Sequence, residues 1–135
     1  MRTVLVLFAD GSEELEAVTV VNILRRAGVS VTLAGLNAGA LRGSRGILLV
    51  PDATLDDAMM RSYDMVVLPG GQPGTDNLKA DVRVLKLMQQ MAHQGKYVTA
   101  ICAARVPPED ANVPRRLRQI LPAVQSKVVV SFKEK

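Results

Sequence analysis

Four short apolar runs constrain this chain most: Thr3–Ala9, Val29–Ala34, Tyr63–Leu68 and Tyr97–Ile101. Each is rich in Val, Leu or Ala and too short for a helix, and the segments between them have helical spacing. A strand covered by helices on both faces reads as a continuous apolar run, because neither face meets water. After Thr3–Ala9, the residues Leu15, Val18, Val21, Ile23 and Leu24 mark a helix that ends at Arg25-Arg26-Ala27-Gly28, with basic residues in its last turn and glycine just beyond. Asp10 or Ser12 is expected to cap its start. Asp52–Met60 reads as a short helix, and Ile47–Val50, after the Gly- and Arg-containing Gly39–Gly46, as a hairpin arm or a further strand. A helix is expected from about Asp76 to Gln94, with Leu78, Val82, Leu85, Met88 and Met91 along one side. This alternation predicts an α/β fold, a parallel sheet with helices on both faces and right-handed crossovers. In such a sheet, ligands bind at the carboxyl ends of the strands.

Composition narrows the function classes. The 135 residues are about one domain's worth, and 48% hydrophobic with 22% charged residues is ordinary for a globular chain. No apolar run approaches the roughly 18 residues that would span a bilayer. Val4–Ala9 has no basic leader and runs straight into Asp10, Glu13, Glu14 and Glu16, so neither a membrane span nor a signal peptide is expected. One cysteine and one histidine make neither an internal disulfide nor a Cys/His zinc cluster, and the expectation is a cytoplasmic, metal-free protein. The net charge of +4 lies in the last quarter: residues 1–101 hold ten Lys/Arg against ten Asp/Glu, and residues 102–135 hold seven against three. Two Phe, two Tyr and no Trp give this charge no aromatic support, which argues against nucleic acid as a partner.

Three features follow strand ends and so are brought to one rim: Gly11-Ser12-Glu13-Glu14-Leu15-Glu16, Gly70-Gly71, and Cys102 directly after Ile101. Singly, each has a plain reading, as dipole complement, turn and buried thiol. Their convergence points to chemistry. A cysteine at a sharp strand-to-helix turn sits near backbone N–H groups that favour thiolate. A Gly-Gly turn lets amides approach an oxyanion closely. A charged carboxylate beside the sulfur would raise the thiol pKa, whereas a protonated one could donate a hydrogen bond and lower it. Glu13, Glu14 and Glu16 are all candidates, and Glu16 lies farthest into the helix.

These residues resemble the ThiJ/PfpI superfamily, which contains the Parkinson-disease-associated deglycase and its bacterial relatives. The matching stretches are Ala9–Glu16, Arg25–Gly28, Ser44-Arg45 with Val50–Ala53, Val67–Gly71 and Ala100–Ala104. The resemblance implies a flavodoxin-like three-layer α/β/α sandwich, C-terminally shortened here, without cofactors and forming a homodimer. It identifies Cys102 with the reactive elbow cysteine, Glu16 with the carboxyl that hydrogen-bonds it, and Gly70, Gly71 and Ala103 with the backbone donors. Arg45 is similar to an arginine near the dimer interface or an anion. Implied activities are conversion of 2-oxoaldehydes such as methylglyoxal and repair of glycated proteins, of glyoxalase or deglycase type, with peptidase action as a lesser branch. The alternatives are a redox-sensing chaperone without turnover and a catalytically inactive truncated form.

After Ala104 the resemblance stops, dividing the chain into a domain over 1–104 and a basic, proline-containing tail over 105–135. Pro107, Pro108 and Pro114 forbid a long helix there. Leu117–Leu121 is expected to form a turn or two of helix and Val128–Phe132 a strand. Either the tail is a non-native end, which the abrupt change in charge and proline content favours, or an intervening segment is deleted and the last strand joins the sheet. Both leave apolar surface for dimerisation or partner binding. The only histidine, His93, is separated from Cys102 by a strand of roughly 15–20 Å, so it is expected to be a solvated helix-end residue and not the cysteine's base.

Overall fold

The computed structural model describes residues 2–101. Cys102, Ala103 and the two tail segments Leu117–Leu121 and Val128–Phe132 lie outside the described residues. The elements are β1 (Thr3–Phe8), α1 (Glu14–Arg26), β2 (Ser30–Gly35), β3 (Leu41–Arg42), β4 (Leu48–Leu49), β5 (Ala53–Thr54), α2 (Leu55–Ala58), β6 (Met65–Leu68), α3 (Gly74–Ala80), α4 (Val82–His93) and β7 (Tyr97–Ala100). Five strands form one sheet in the order β5-β2-β1-β6-β7, and all its pairings are parallel. The chain winds outward from β1 through β2 to β5, then returns to place β6 on the other side of β1. That reversal opens a crevice at the carboxyl ends of β1 and β6.

Strand β1 shows why the sheet has two covered faces. Leu5, Leu7 and Ala9 join Leu55, Tyr63, Leu78, Val84, Leu87, Met88 and Met91 in the core beneath α2, α3 and α4. Val4, Val6 and Phe8 alternate to the other face, where they pack with Ala17 and Val21 of α1 and with Val31 and Leu33 of β2. Period-two alternation with apolar residues at every position thus builds three layers, as expected for a flavodoxin-like fold.

Local details depart from the expectations at four places. The helix expected over 76–94 is two, because Asp81 is extended (φ −81°, ψ 115°) and caps α4 with a hydrogen bond from Arg83 N. The cap of α1 is Glu13, which accepts from Leu15 N, and not Asp10 or Ser12. Ser12 is fully buried and accepts from Ala9 N instead, closing the turn behind β1. Ile47–Val50 is a hairpin arm, the first of its two expected forms: its two-residue strand β4 pairs antiparallel with β3 in a separate hairpin. Asp52–Met60 begins as the edge strand β5 before α2. On α1 the buried face is Glu14, Ala17 and Val21, whereas Leu15, Val18 and Ile23 are exposed.

Arg83 ties the α3–α4 break to its surroundings, donating to Asp81, Asp56 and the carbonyl of Leu36. The hydrogen bonds from its guanidinium hold the Asp81 carboxyl below its usual value against the opposing pull of burial. Asp81→Ala is expected to cost about 1 kcal/mol, the usual worth of an N-cap. Because the folded pKa is depressed, this contribution exists above the unfolded value and fades as pH falls through the folded one. Urea midpoints measured against pH should show the variant's deficit at neutrality and its decline in acid; a deficit that grows on acidification contradicts it.

Candidate functional site

The crevice between β1 and β6 is filled by the turn that opens α1. On one side this turn meets the Pro69–Gly74 segment after β6. Glu13 N donates to Gly70 O at 2.8 Å. A Cβ on Gly71, whose φ is +95°, would lie 2.5 Å from Glu13 N, so only glycine allows this approach. The Glu16 side chain completes the contact: its Oε2 accepts from Gly70 N at 2.6 Å.

On the other side lies the β3–β4 hairpin. Gly11 N donates to Arg42 O and Ser44 N to Ser12 O, both at 2.8 Å. Ser44 Oγ donates to Glu13 Oε2 at 2.8 Å. Glu14, only 3% exposed, reaches into the hairpin loop, where its two carboxylate oxygens accept from Arg45 N and one also accepts from Ile47 N. Burial pushes this carboxyl up, but its own N–H, the amides of Arg45 and Ile47 and the Ser44 hydroxyl outweigh it and hold it below the ordinary range.

The expected site residues therefore fall as follows. Glu16 and Gly70 are in direct contact, with Gly71 beside them. The Gly70 N–H is donated to Glu16. Arg45 is exposed, its Nε 4.0 Å from Glu13 Oε2, while its backbone serves Glu14. Cys102 and Ala103 lie outside the described residues. The strand that leads to them is in register, with Leu68 opposite Ala100 and Ile101 N donating to Leu68 O at 2.8 Å. His93 is exposed and ends α4, before β7 begins. Sequence reasoning grouped Glu14 with its neighbours and missed its burial; its signal was the spacing 14, 17, 21, which puts it on the core face of α1.

A separate depression of about 270 Å³ is lined by Ala9, Asp10, Leu36, Asn37, Asn77 and Asp81. Among its polar groups, Asn77 donates to the Asp10 carbonyl, Asp10 Oδ1 accepts from Arg42 N and Asp81 binds Arg83. Among the described residues there is no cluster of His, Cys, Asp or Glu able to hold a metal ion, and no helix long and apolar enough to cross a membrane.

The parallel sheet and the strand-order reversal define an α/β protein of flavodoxin-like architecture, and the Glu16 carboxyl held on Gly70 marks the crevice as its candidate site. The DJ-1/PfpI family profile matches residues 2–114, and the chain belongs to that family. It is 39% identical over 104 residues to the protein dj-1beta of Drosophila melanogaster, covering 76% of this chain and 56% of the relative. It is 30% identical over 94 residues to the glutathione-independent glyoxalase DJR-1.2 of Caenorhabditis elegans, covering 70% and 50%. Oxidised DJ-1 of Toxoplasma gondii superposes with a TM-score of 0.79 at 30% identity, over 98% of this chain and 67% of that one. The chain spans about half the length of the curated relatives it matches.

Proposed function

We propose that this protein is a cofactor-independent, cysteine-dependent stress-response protein that acts on 2-oxoaldehydes or their protein adducts, as a glyoxalase or deglycase. The observation that carries this reading is the Glu16 carboxyl fixed on the Gly70 amide at the switch point, beside the strand that leads to the chain's single cysteine, Cys102. The kinship with a glutathione-independent glyoxalase supports the substrate class. In the proposed reaction the Cys102 thiolate adds to the aldehyde carbon and the carbonyl oxygen takes a proton, giving a hemithioacetal. Glu16, with Oε2 on Gly70, uses Oε1 to carry the proton from that carbon to its neighbour while the hemithioacetal hydroxyl gives up its proton to the neighbouring oxygen, which leaves a thioester. Water then cleaves the carbon–sulfur bond, releasing the 2-hydroxy acid and the thiol. Gly71 and Ala103 are assigned as backbone donors to the developing oxyanion; Gly70, expected as a third, gives its N–H to Glu16.

The cytoplasm, where thiols stay reduced, is the assigned compartment. The assigned assembly is a homodimer. Exposed Leu15 and Val18 on α1 and Ile47, Leu48 and Val50 on the hairpin support it, with Arg45 in the same hairpin loop. The solved oxidised relative favours a second reading, a redox-sensing chaperone. There the Cys102 thiolate attacks a peroxide, forming an S–O bond as the O–O bond breaks and hydroxide leaves, without turnover.

Alkylation of Cys102 by iodoacetamide against pH tests the site. The wild type should show a midpoint well below the free-thiol value of about 8.5, and Glu16→Leu should move it back. A midpoint near the free value that ignores Glu16 would leave only the inactive form. Sedimentation of the same samples should give a dimer that Val18→Asp dissociates; a monomeric wild type rejects that assembly.

A further inference from the structure

Glu14 is a buried carboxylate that the proposed reaction does not use. Burying such a group is costly unless it is richly hydrogen-bonded, and an apolar residue of similar size would pack without that cost. Its bonds go to the hairpin loop: Arg45 N at 3.0 and 3.1 Å, Ile47 N at 3.0 Å and Ser44 Oγ at 3.3 Å. Glu16 lies two residues on, about 200° around a helix of 3.6 residues per turn, and it grips Gly70 instead. The two carboxylates therefore pull the first turn of α1 in opposite directions, one toward the hairpin and one toward the turn after β6.

We propose that Glu14 is a positioning residue for Glu16: by binding the β3–β4 loop it clamps the start of α1 from the side opposite Gly70 and so holds the Glu16 carboxyl on the Gly70 amide. The hairpin is itself anchored, because Gly11 N and Ser44 N bond across it and Arg42 N donates to Asp10 Oδ1. Gly43 is part of the fit: a Cβ there would collide with the Glu14 side chain. The role deepens the proposed function, since it matters to chemistry only if Glu16 serves Cys102.

The test is Glu14→Gln in the full chain, followed by backbone amide NMR and by the pH midpoint of Cys102 alkylation. Gln keeps the shape but turns an NH2 toward amides that need an acceptor. Amide exchange at Arg45 and Ile47 should quicken at least tenfold, the Gly70 amide proton should shift toward the position it takes in Glu16→Leu, and the alkylation midpoint should move toward the free-thiol value. Asp64→Asn is the comparison for lost stability alone. Asp64 binds Thr3 N at the far end of the sheet, so this variant should leave the Gly70 proton in place. If Arg45 and Ile47 lose protection while the Gly70 proton stays put, Glu14 only fastens the hairpin and the proposal is overturned. Should Glu14→Gln fail to fold, Gly43→Ala displaces the carboxylate with its charge intact and is read in the same way. A wild-type Cys102 with no depressed midpoint would defeat the proposed function, and the Gly70 shift would still decide the positioning role.

Discussion

Glu16→Gln is expected to lower methylglyoxal turnover by about 10²–10⁴-fold, the usual worth of a positioned proton carrier, with almost no change in stability. Gln retains a side-chain oxygen that can accept from Gly70 N, so the contact that Glu16 makes at 2.6 Å survives while the transferable proton does not. Glu16→Leu separates the two roles. It loses the same activity and also strips the buried Gly70 amide of its acceptor, for a further cost of about 1–3 kcal/mol in stability. Lactate formation followed alongside thermal denaturation distinguishes them, and Cys102→Ala sets the zero of the assay. Turnover of Glu16→Gln within threefold of the wild type would remove Glu16 from the chemistry. Turnover that is absent in the wild type, with Cys102 still reactive to peroxide, would leave the redox reading in its place.

The largest stability effect is expected from Gly74→Ala, at about 3 kcal/mol. Gly74 begins α3, where alanine should gain up to about 1 kcal/mol from helix propensity. Against this, a methyl there falls closer than 3.0 Å to backbone atoms of Gly11 and Ser12, which cannot swing aside as a flexible side chain could. Overpacking typically costs about 1–3 kcal/mol and occasionally more, and three rigid backbone atoms within 2.5 Å place this site above that range, so about 3 kcal/mol remains after the propensity gain. Gly28→Ala is the natural comparison. Its Cβ would meet nothing within 4 Å, but its φ of +80° should cost about 1–2 kcal/mol. Urea denaturation of the pair should rank Gly74→Ala below Gly28→Ala; the reverse order would mean that the Gly11–Ser12 turn yields readily. Because that turn leads directly into the helix carrying Glu16, the Gly74 variant should also lose thiol reactivity.

Both effects arise at one junction, and the sequence marks it unevenly. The run Val4–Ala9, the Gly70-Gly71 pair and the acidic start of α1 were legible because each follows from chain-local chemistry: a period-two apolar run, a turn that needs no side chain, a helix dipole that favours carboxylates. Chain-local chemistry did not say which carboxylate does what; the family resemblance alone singled out Glu16. Glu13, Glu14 and Glu16 share one turn and one charge, yet Glu13 caps the helix, Glu14 is buried in the hairpin loop and Glu16 holds Gly70. Their partners are residues 44–47 and 70, brought together only by the strand-order reversal around β1. The break at Asp81 was hidden for a related reason. The apolar spacing of Leu78, Val82, Leu85 and Met88 runs unbroken across it, and only the contacts of Arg83 with Asp56 and Leu36 show why the chain turns there.

The sequence by itself determined the class of fold, because strands that are apolar at every position must be covered on both faces, and it placed the acidic turn, the glycine pair and Cys102 after strand ends. Tertiary structure alone decided which acid faces Gly70, that Glu14 is buried, and that Leu15 and Val18 stay on the surface. The physical reason is range: apolar periodicity acts over a few residues, whereas the partners of a carboxylate are set by which distant backbone amides the sheet brings within hydrogen-bonding reach.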